Sequence, residues 1–284
     1  MRLRVTMLAA LLAACGGDEP AEKPAAENPA AENPAAGTPA KAPEKTFTAA
    51  ELAAAAEEVA LVPRPAEMEK ALANAGINAR LGDMVSDRDI STDHANLDQV
   101  AVRTGVVLAD LVLTAKTAPK EKTVHNLGKL KKGFEKVGAG NDIQVTIDEM
   151  IASVNNDALK GTELVQEMDE LSGVLVPELE TEAGEWVVPL IQAGSWLEGA
   201  HLVSGALKAE SKFDAADGML RQPAVVDYFI KYVDREGGDK APDEVVAKLN
   251  ETLKTLKEVS SKPKLEQADV ETIHSATGAV LTML

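Results

Sequence analysis

The chain has 284 residues, a formal net charge of −17 and 3% aromatic residues. A surface this acidic argues against nucleic acid as a partner and against electrostatic attraction to anionic lipid headgroups. The single cysteine, Cys15, excludes a disulfide within one chain.

The N-terminus consists of a basic start, an apolar middle and small residues before Cys15. Arg2 and Arg4 precede an apolar run over residues 5–14 that is too short to span a bilayer. The segment Leu12-Ala13-Ala14-Cys15 resembles the lipobox of bacterial lipoproteins, in which the cysteine is acylated and becomes the first residue of the mature protein. We therefore expect a signal peptide over residues 1–14 and membrane attachment through acyl chains on Cys15. The other interpretation is an ordinary secretory signal with an incidental cysteine.

Residues 15–45 have the composition of a linker. Alanine, proline, glutamate and lysine dominate, and the sequence PAAEN occurs from Pro24 and again from Pro29. Such a segment has too little apolar surface to fold, so we expect a disordered tether of up to about 80 Å. The residue after the cysteine is Gly16. An aspartate at this position would oppose sorting to the outer membrane, so the glycine favours that membrane. The expected location is the cell envelope, at the outer membrane, with the periplasmic and surface faces both left open.

Residues 46–284 show the hydrophobic spacing of helices and almost no alternating β-branched runs. We predict an all-α, irregular multi-helix bundle of about ten helices, in one domain or in two halves joined near residues 173–184. A proline at 177 is expected to bend or break one helix, and one at 189 to restart another. The predicted helices cover residues 48–61, 65–76, 77–85, 97–112, 120–137, 143–154, 157–182, 185–210, 223–235, 242–260 and 265–284.

Asp110 is a charged residue inside an apolar helix. All its near neighbours over residues 106–113 are apolar, and Arg103 precedes it by two helical turns on the same face. We expect a buried carboxylate, either in a structural ion pair with Arg103 or hydrogen-bonded to Thr114. A functional role in a pocket is the alternative.

A second unusual helix contains Gly194, Gly199 and Gly205 among bulky residues. Glycine inside a helix costs about 1 kcal/mol, so close helix packing or a polar cavity must offset it. Trp196 and His201 are candidates to line such a cavity. The alternatives are a core position for Trp196 and an i, i+3 surface pair of Glu198 with His201.

Four segments together suggest a family. They are Pro63-Arg64-Pro65, Arg103-Thr104-Gly105 through Asp110-Leu111, Asn156-Asp157-Ala158-Leu159, and Gly194-Ser195-Trp196-Leu197-Glu198-Gly199. Their order over residues 60–205 resembles a family of uncharacterised bacterial helical lipoproteins. The resemblance implies that Asp110, Asp157, Trp196 and Glu198 share a core or pocket, and it implies no activity. An aromatic residue often stands in that family where this chain has His201. Taken by itself, the Asn155-Asn156-Asp157 cluster indicates a helix end followed by an N-cap.

A metal site is a further hypothesis. Glu198 with His201, and Glu271 with His274, each form E-x-x-H, which di-iron bundle proteins take from two helices. Such a site also needs an inward carboxylate from each of two other helices, and the candidates are Asp110 with Glu163 or Glu167.

The sequence contains no G-x-S-x-G, H-E-x-x-H, phosphate-loop or C-x-x-C-H motif. We therefore expect a lipid-anchored envelope protein that is a non-catalytic binding or structural module, with no cofactor. Its partner would be an envelope protein or a small ligand. The competing interpretation is a metal-binding protein or enzyme with an inter-helix carboxylate and histidine pocket at Asp110, Glu198 and His201.

Overall fold

A computed structural model describes residues 62–85, 90–184, 186–240 and 243–284, and the side chains of all of these except 174–177, 236–240 and 243–246. The predictions for the signal peptide, Cys15, the tether and the helix over 48–61 lie outside these residues. The described residues all belong to one compact unit, with no division near residues 173–184.

The described residues form eleven α-helices, one short 3₁₀ turn and no strand, which confirms the all-α prediction. The helices are α1 (Pro65–Asn74), α2 (Leu81–Met84), α3 (Leu97–Thr114), α4 (Lys120–Val137), α5 (Asn141–Asn155), α6 (Gly161–Glu182), α7 (Val187–Glu210), α8 (Ala216–Leu220), α9 (Pro223–Lys240), α10 (Asp243–Ser260) and α11 (Gln267–Leu281). None of these helices is both long enough and apolar enough to cross a membrane.

Local capping chemistry explains several helix ends. The Asn96 side chain accepts a hydrogen bond from the Gln99 amide over 3.0 Å, so Asn96 caps α3. Gly138 ends α4 with a φ of +94°, a left-handed conformation that glycine adopts without strain. The predicted limits of α4 are therefore confirmed.

Other predicted limits are wrong. Helix α6 begins at Gly161 rather than at Asp157, because Asp157 has a φ of +58° that cannot continue a right-handed helix. The helix is not broken at Pro177 but continues past it as one element, whereas the predicted bend stays a prediction. Helix α9 extends past Arg235 to Lys240, and the short segment Phe213–Leu220 was not predicted to be helical.

Helices α3 and α7 form the centre of the fold. Helix α4 packs on α3 and α5 on α4, whereas α11 packs on α7 and is followed by α10 and α9. Both α3 and α7 are buried over most of their length. The apolar stretch around Asp110 is thus a core helix.

Glycine allows α3 and α7 to approach to backbone contact. A methyl group on Gly105 would overlap the carbonyl oxygen of Ile191, and one on Gly194 would overlap that of Val102. Farther along, Leu113 Cδ1 lies 3.9 Å from the place of a side chain on Gly199. Residue numbers therefore rise together along the two helices, which run parallel.

Candidate functional site

Asp110 lies in α3 and is only 8% exposed, as the sequence predicted. The Arg103 guanidinium donates to the Ser91 carbonyl oxygen over 3.1 Å. The Thr114 hydroxyl donates to the backbone carbonyl of Asp110 over 2.6 Å. Arg103 thus links α3 to the loop before it, and Thr114 bonds the backbone, not the carboxylate, of Asp110.

Trp196 is a core aromatic residue, 3% exposed. Its indole Nε1 donates to Gln222 Oε1 over 2.7 Å, and its ring centroid lies 5.5 Å from that of Phe229. Gln222 in turn donates to the Met219 carbonyl oxygen over 2.8 Å. These contacts fix the Trp196 ring between α7 and α9 and satisfy its polar atom.

Glu198 is completely buried in α7, so the expected surface pair of Glu198 with His201 is wrong. The parallel register places Gly199 beside Leu113. Since Asp110 precedes Leu113 by three residues and Glu198 precedes Gly199 by one, the Cα atoms of Asp110 and Glu198 lie at about the same height, within roughly 3 Å along the helix axes. Two buried acidic side chains therefore occupy one level of the α3 and α7 pair.

Asp157 does not belong to this core. Its side chain is 67% exposed, and its carboxylate lies 3.2 Å from Lys120 Nζ. The residue follows the end of α5 in a left-handed conformation, which short polar side chains tolerate. The expectation that Asp157 shares a pocket with Trp196 and Glu198 is therefore wrong, and its helix-end interpretation is closer to the structure.

His201 and His274 lie face to face between α7 and α11. Their ring centroids are 4.2 Å apart and the ring planes differ by 5°. Nδ1 of each ring lies 3.1 Å from the backbone carbonyl oxygen of the other histidine. Because a carbonyl oxygen can only accept, both Nδ1 atoms carry a proton.

The sequence around the two histidines repeats beyond E-x-x-H. Both helices carry E-x-x-H-x-x-S/T-G, from Glu198 to Gly205 and from Glu271 to Gly278. A side chain on Gly205 would lie 3.3 Å from the His274 ring, and one on Gly278 would lie 3.0 Å from the His201 ring. The helices therefore cross antiparallel with approximate two-fold symmetry. The predicted E-x-x-H pairs covered only the first half of this repeat, and the hydroxyl residue and glycine that complete it can also be read from the sequence.

The geometry does not support the di-iron hypothesis. Imidazole lone pairs lie in the ring plane, so two nearly parallel stacked rings cannot direct both Nε2 atoms at one ion. Glu271 is exposed and accepts a hydrogen bond from Gln267, and Glu163 and Glu167 are exposed as well. Within the described part of the chain, no group of three or more metal-binding side chains is found.

A cavity of about 90 Å³ lies near the start of α1. Arg64 and Gln192 lie at its edge, and the Ser195 hydroxyl on its wall donates to the Gly105 carbonyl oxygen over 2.9 Å. Its lining is mainly apolar and includes Val62, Pro63, Leu108, Phe134, Leu179 and Ile191. Three of the four segments of the predicted family pattern therefore contribute to this cavity, through Pro63-Arg64-Pro65, through Leu108 and through Ser195.

Arg64 is held in place at the edge of the cavity. Its guanidinium lies 2.7 Å from the Asp169 carboxylate, and its backbone amide donates to Glu67 over 2.9 Å.

Comparison of the chain with known proteins finds no matching family model, no matching curated protein and no matching solved structure.

Proposed function

We propose that this chain is a lipid-anchored protein of the bacterial cell envelope whose helical domain is a non-catalytic binding or structural module. The anchor would be acyl chains on Cys15, and the residues up to 45 would be a tether that lets the domain stand away from the outer membrane. The lipobox-like segment and the composition of the linker support the anchor.

One observation carries the choice of a binding or structural role over an enzyme. Gly105 and Gly194 bring α3 and α7 into backbone contact beside Trp196 and Glu198. A substrate needs a concave site with convergent polar groups, and the helix pair leaves little room for one at this level. The buried acidic and aromatic side chains there are best explained as parts of a closely packed core.

The cavity near α1 limits what this module could bind there. One water occupies about 30 Å³ in the liquid, and an engineered cavity of about 150 Å³ holds benzene. A cavity of about 90 Å³ with mainly apolar walls therefore suits a short aliphatic group and is too small for a sugar ring. We propose that the partner inserts one aliphatic side chain between Pro63 and Gln192.

Two experiments test the proposal. Cys15→Ser should move the protein from the membrane fraction to the soluble fraction and abolish fatty-acid labelling, because the acylated thiol is lost. Retention of the membrane signal and the acyl label would rule out the anchor.

For binding, a photo-crosslinking residue replaces Gln192, and a control carries it at exposed Glu149 on α5. We expect a discrete cross-linked product only from position 192, lost when Ser172→Leu partly fills the cavity. Identical products from both positions would contradict binding at the cavity.

A second candidate is a metal-binding protein or enzyme that uses Asp110 and Glu198. Its support is the burial of both acidic residues at about the same level of the α3 and α7 pair. Elemental analysis of the full-length protein, purified without affinity-tag metal, tests it. Stoichiometric iron, zinc or manganese whose removal lowers the melting temperature would favour this candidate over the first.

A further inference from the structure

The two stacked histidines lie half-buried where α7 and α11 cross. Each ring donates from Nδ1 to the other helix's backbone, so the protonation-sensitive atom of each is Nε2. Ser204 Oγ lies 3.3 Å from His274 Nδ1, and Thr277 Oγ1 lies 3.3 Å from His201 Nδ1. One pair of half-buried rings thus lies at the crossing of the two helices.

Glycine on each helix lets the other helix's ring pack closely. A methyl group on Gly205 would lie 3.3 Å from the His274 ring and one on Gly278 would lie 3.0 Å from the His201 ring, both tighter than ordinary van der Waals contact. Two protonated rings would hold like charges about 4.2 Å apart in a partly desolvated site. Charging both rings therefore opposes the docking of α11 on α7.

The surrounding charges mostly add to this effect or have partners of their own. Burial lowers the pKa of His274, and Lys208 of α7 lowers it further, whereas the bond to the His201 carbonyl acts in the opposite direction. Glu198, one turn before His201 in α7, is completely buried.

The other charged groups belong to the neighbouring elements. They are Asp83 of α2, which pairs with Arg80; Asp110 of α3; Glu271 of α11, bonded to Gln267; Asp217 of α8, which accepts from the Leu265 amide; and Lys257 of α10, which pairs with Asp227.

We propose that the crossing of α7 and α11 is a pH-sensitive clasp, in which proton binding to the His201 and His274 pair in mild acid releases the C-terminal helix from α7. Release would expose the apolar faces that the clasp covers, including Ile273 and Leu281 of α11. The inference goes beyond the proposed anchoring and binding, and it holds whether or not the cavity near α1 binds a partner.

Hydrogen exchange of the full-length protein at pH 7.5 and pH 5.0, corrected for the intrinsic pH dependence, tests the clasp. We expect peptides from α11 and from residues 196–207 to lose protection by about ten-fold or more at pH 5.0. Peptides from α4 and α5 should keep their protection. Unchanged protection of α11 would overturn the proposal.

A double variant separates histidine titration from other effects of acid. In His201→Asn/His274→Asn the amide nitrogen takes the place of Nδ1 and can still donate to the carbonyl, but it does not titrate. We expect protection of α11 to become the same at both pH values. His125→Asn, at an exposed position of α4, is the matched control and should keep the wild-type response.

If the double variant fails to fold, the wild-type chain still decides the question, because it has only four histidines to resolve by NMR. We expect the two rings to titrate as one coupled pair, in two steps, with the pKa of His274 below its ordinary value. Titration of the two rings in a single step, each independent of the other, would contradict the clasp.

Discussion

Gly105 and Gly194 face each other across the two central helices, and each lies where a side chain would overlap the backbone of the other helix. The reciprocal overlap concerns the carbonyl oxygens of Ile191 and Val102, which cannot move without disturbing their helices. Glycine has a low helix propensity, but Gly105 and Gly194 are the residues that allow α3 and α7 to pack in contact.

The first prediction is that Gly194→Ala strongly destabilises the domain. Overpacking a buried helix contact costs about 1–3 kcal/mol, and an overlap with backbone belongs at or above the upper end. Gly128→Ala is the matched control, because that glycine lies in α4 with nothing within 4 Å of an added methyl group. It should gain roughly 0.5–1 kcal/mol from helix propensity. Urea unfolding of both variants checks the contrast, and equal stabilities would contradict the register of α3 and α7.

The second prediction concerns stability in mild acid. Burial, with Lys208, holds the pKa of His274 below its ordinary value of 6.5 in the folded state. The unfolded chain therefore binds this proton more tightly, so the contribution is fully present above the unfolded pKa and is lost as the pH falls from about 6.5 towards the folded pKa. The urea midpoint should decline in this window for the wild type and stay flatter for His274→Asn. A wild-type midpoint that rises between pH 7 and pH 5 would contradict the sign.

A separate acid transition is expected from Asp269. Burial acts to raise its pKa, but the Glu266 amide and Lys262 outweigh burial and leave the pKa below the ordinary 3.8. The carboxylate thus contributes stability that is present above about pH 3.8 and lost as the pH falls through the folded pKa. Asp269→Asn should lower stability at neutral pH and remove the decline below pH 3.8. If the variant loses stability equally at pH 7 and pH 2, the carboxylate charge is not the cause.

The contrast between α4 and the histidine pair shows what the sequence could and could not predict. The limits of α4 were predictable, because an amphipathic run ends at Gly138 and a glycine there terminates a helix. Asp157 was misplaced because the same residue type caps a helix start and tolerates a left-handed turn. The crossing of His201 with His274 was beyond prediction, since periodicity gives each helix its buried face but not its neighbour.

Trp196 gives a spectroscopic prediction, because the chain has only one other tryptophan, Trp186. Trp196→Phe leaves the side-chain oxygen of Gln222 without the indole donor, which costs about 0.5–1.5 kcal/mol for a half-buried hydrogen bond. The emission of the variant should shift to longer wavelength than that of the wild type, since the remaining Trp186 is less buried. Trp186→Phe is the control and should shift the emission the other way. An unchanged maximum in both variants would contradict the core position of Trp196.

The last prediction exchanges residues between two helix ends. Ser211 ends α7 with a φ of +54°, and Gly138 ends α4 with a φ of +94°. A left-handed conformation destabilises a residue with a side chain by about 1–2 kcal/mol. Glycine adopts this conformation without strain, and its only cost is the larger conformational entropy that it loses on folding, about 0.5–1 kcal/mol. Ser211→Gly should therefore stabilise the domain by up to about 1 kcal/mol, and Gly138→Ser should destabilise it by a similar or larger amount. Thermal unfolding of the two variants measures both effects. A loss of stability in Ser211→Gly would mean that the Ser211 side chain makes a contact that stabilises the domain by more than the backbone strain destabilises it.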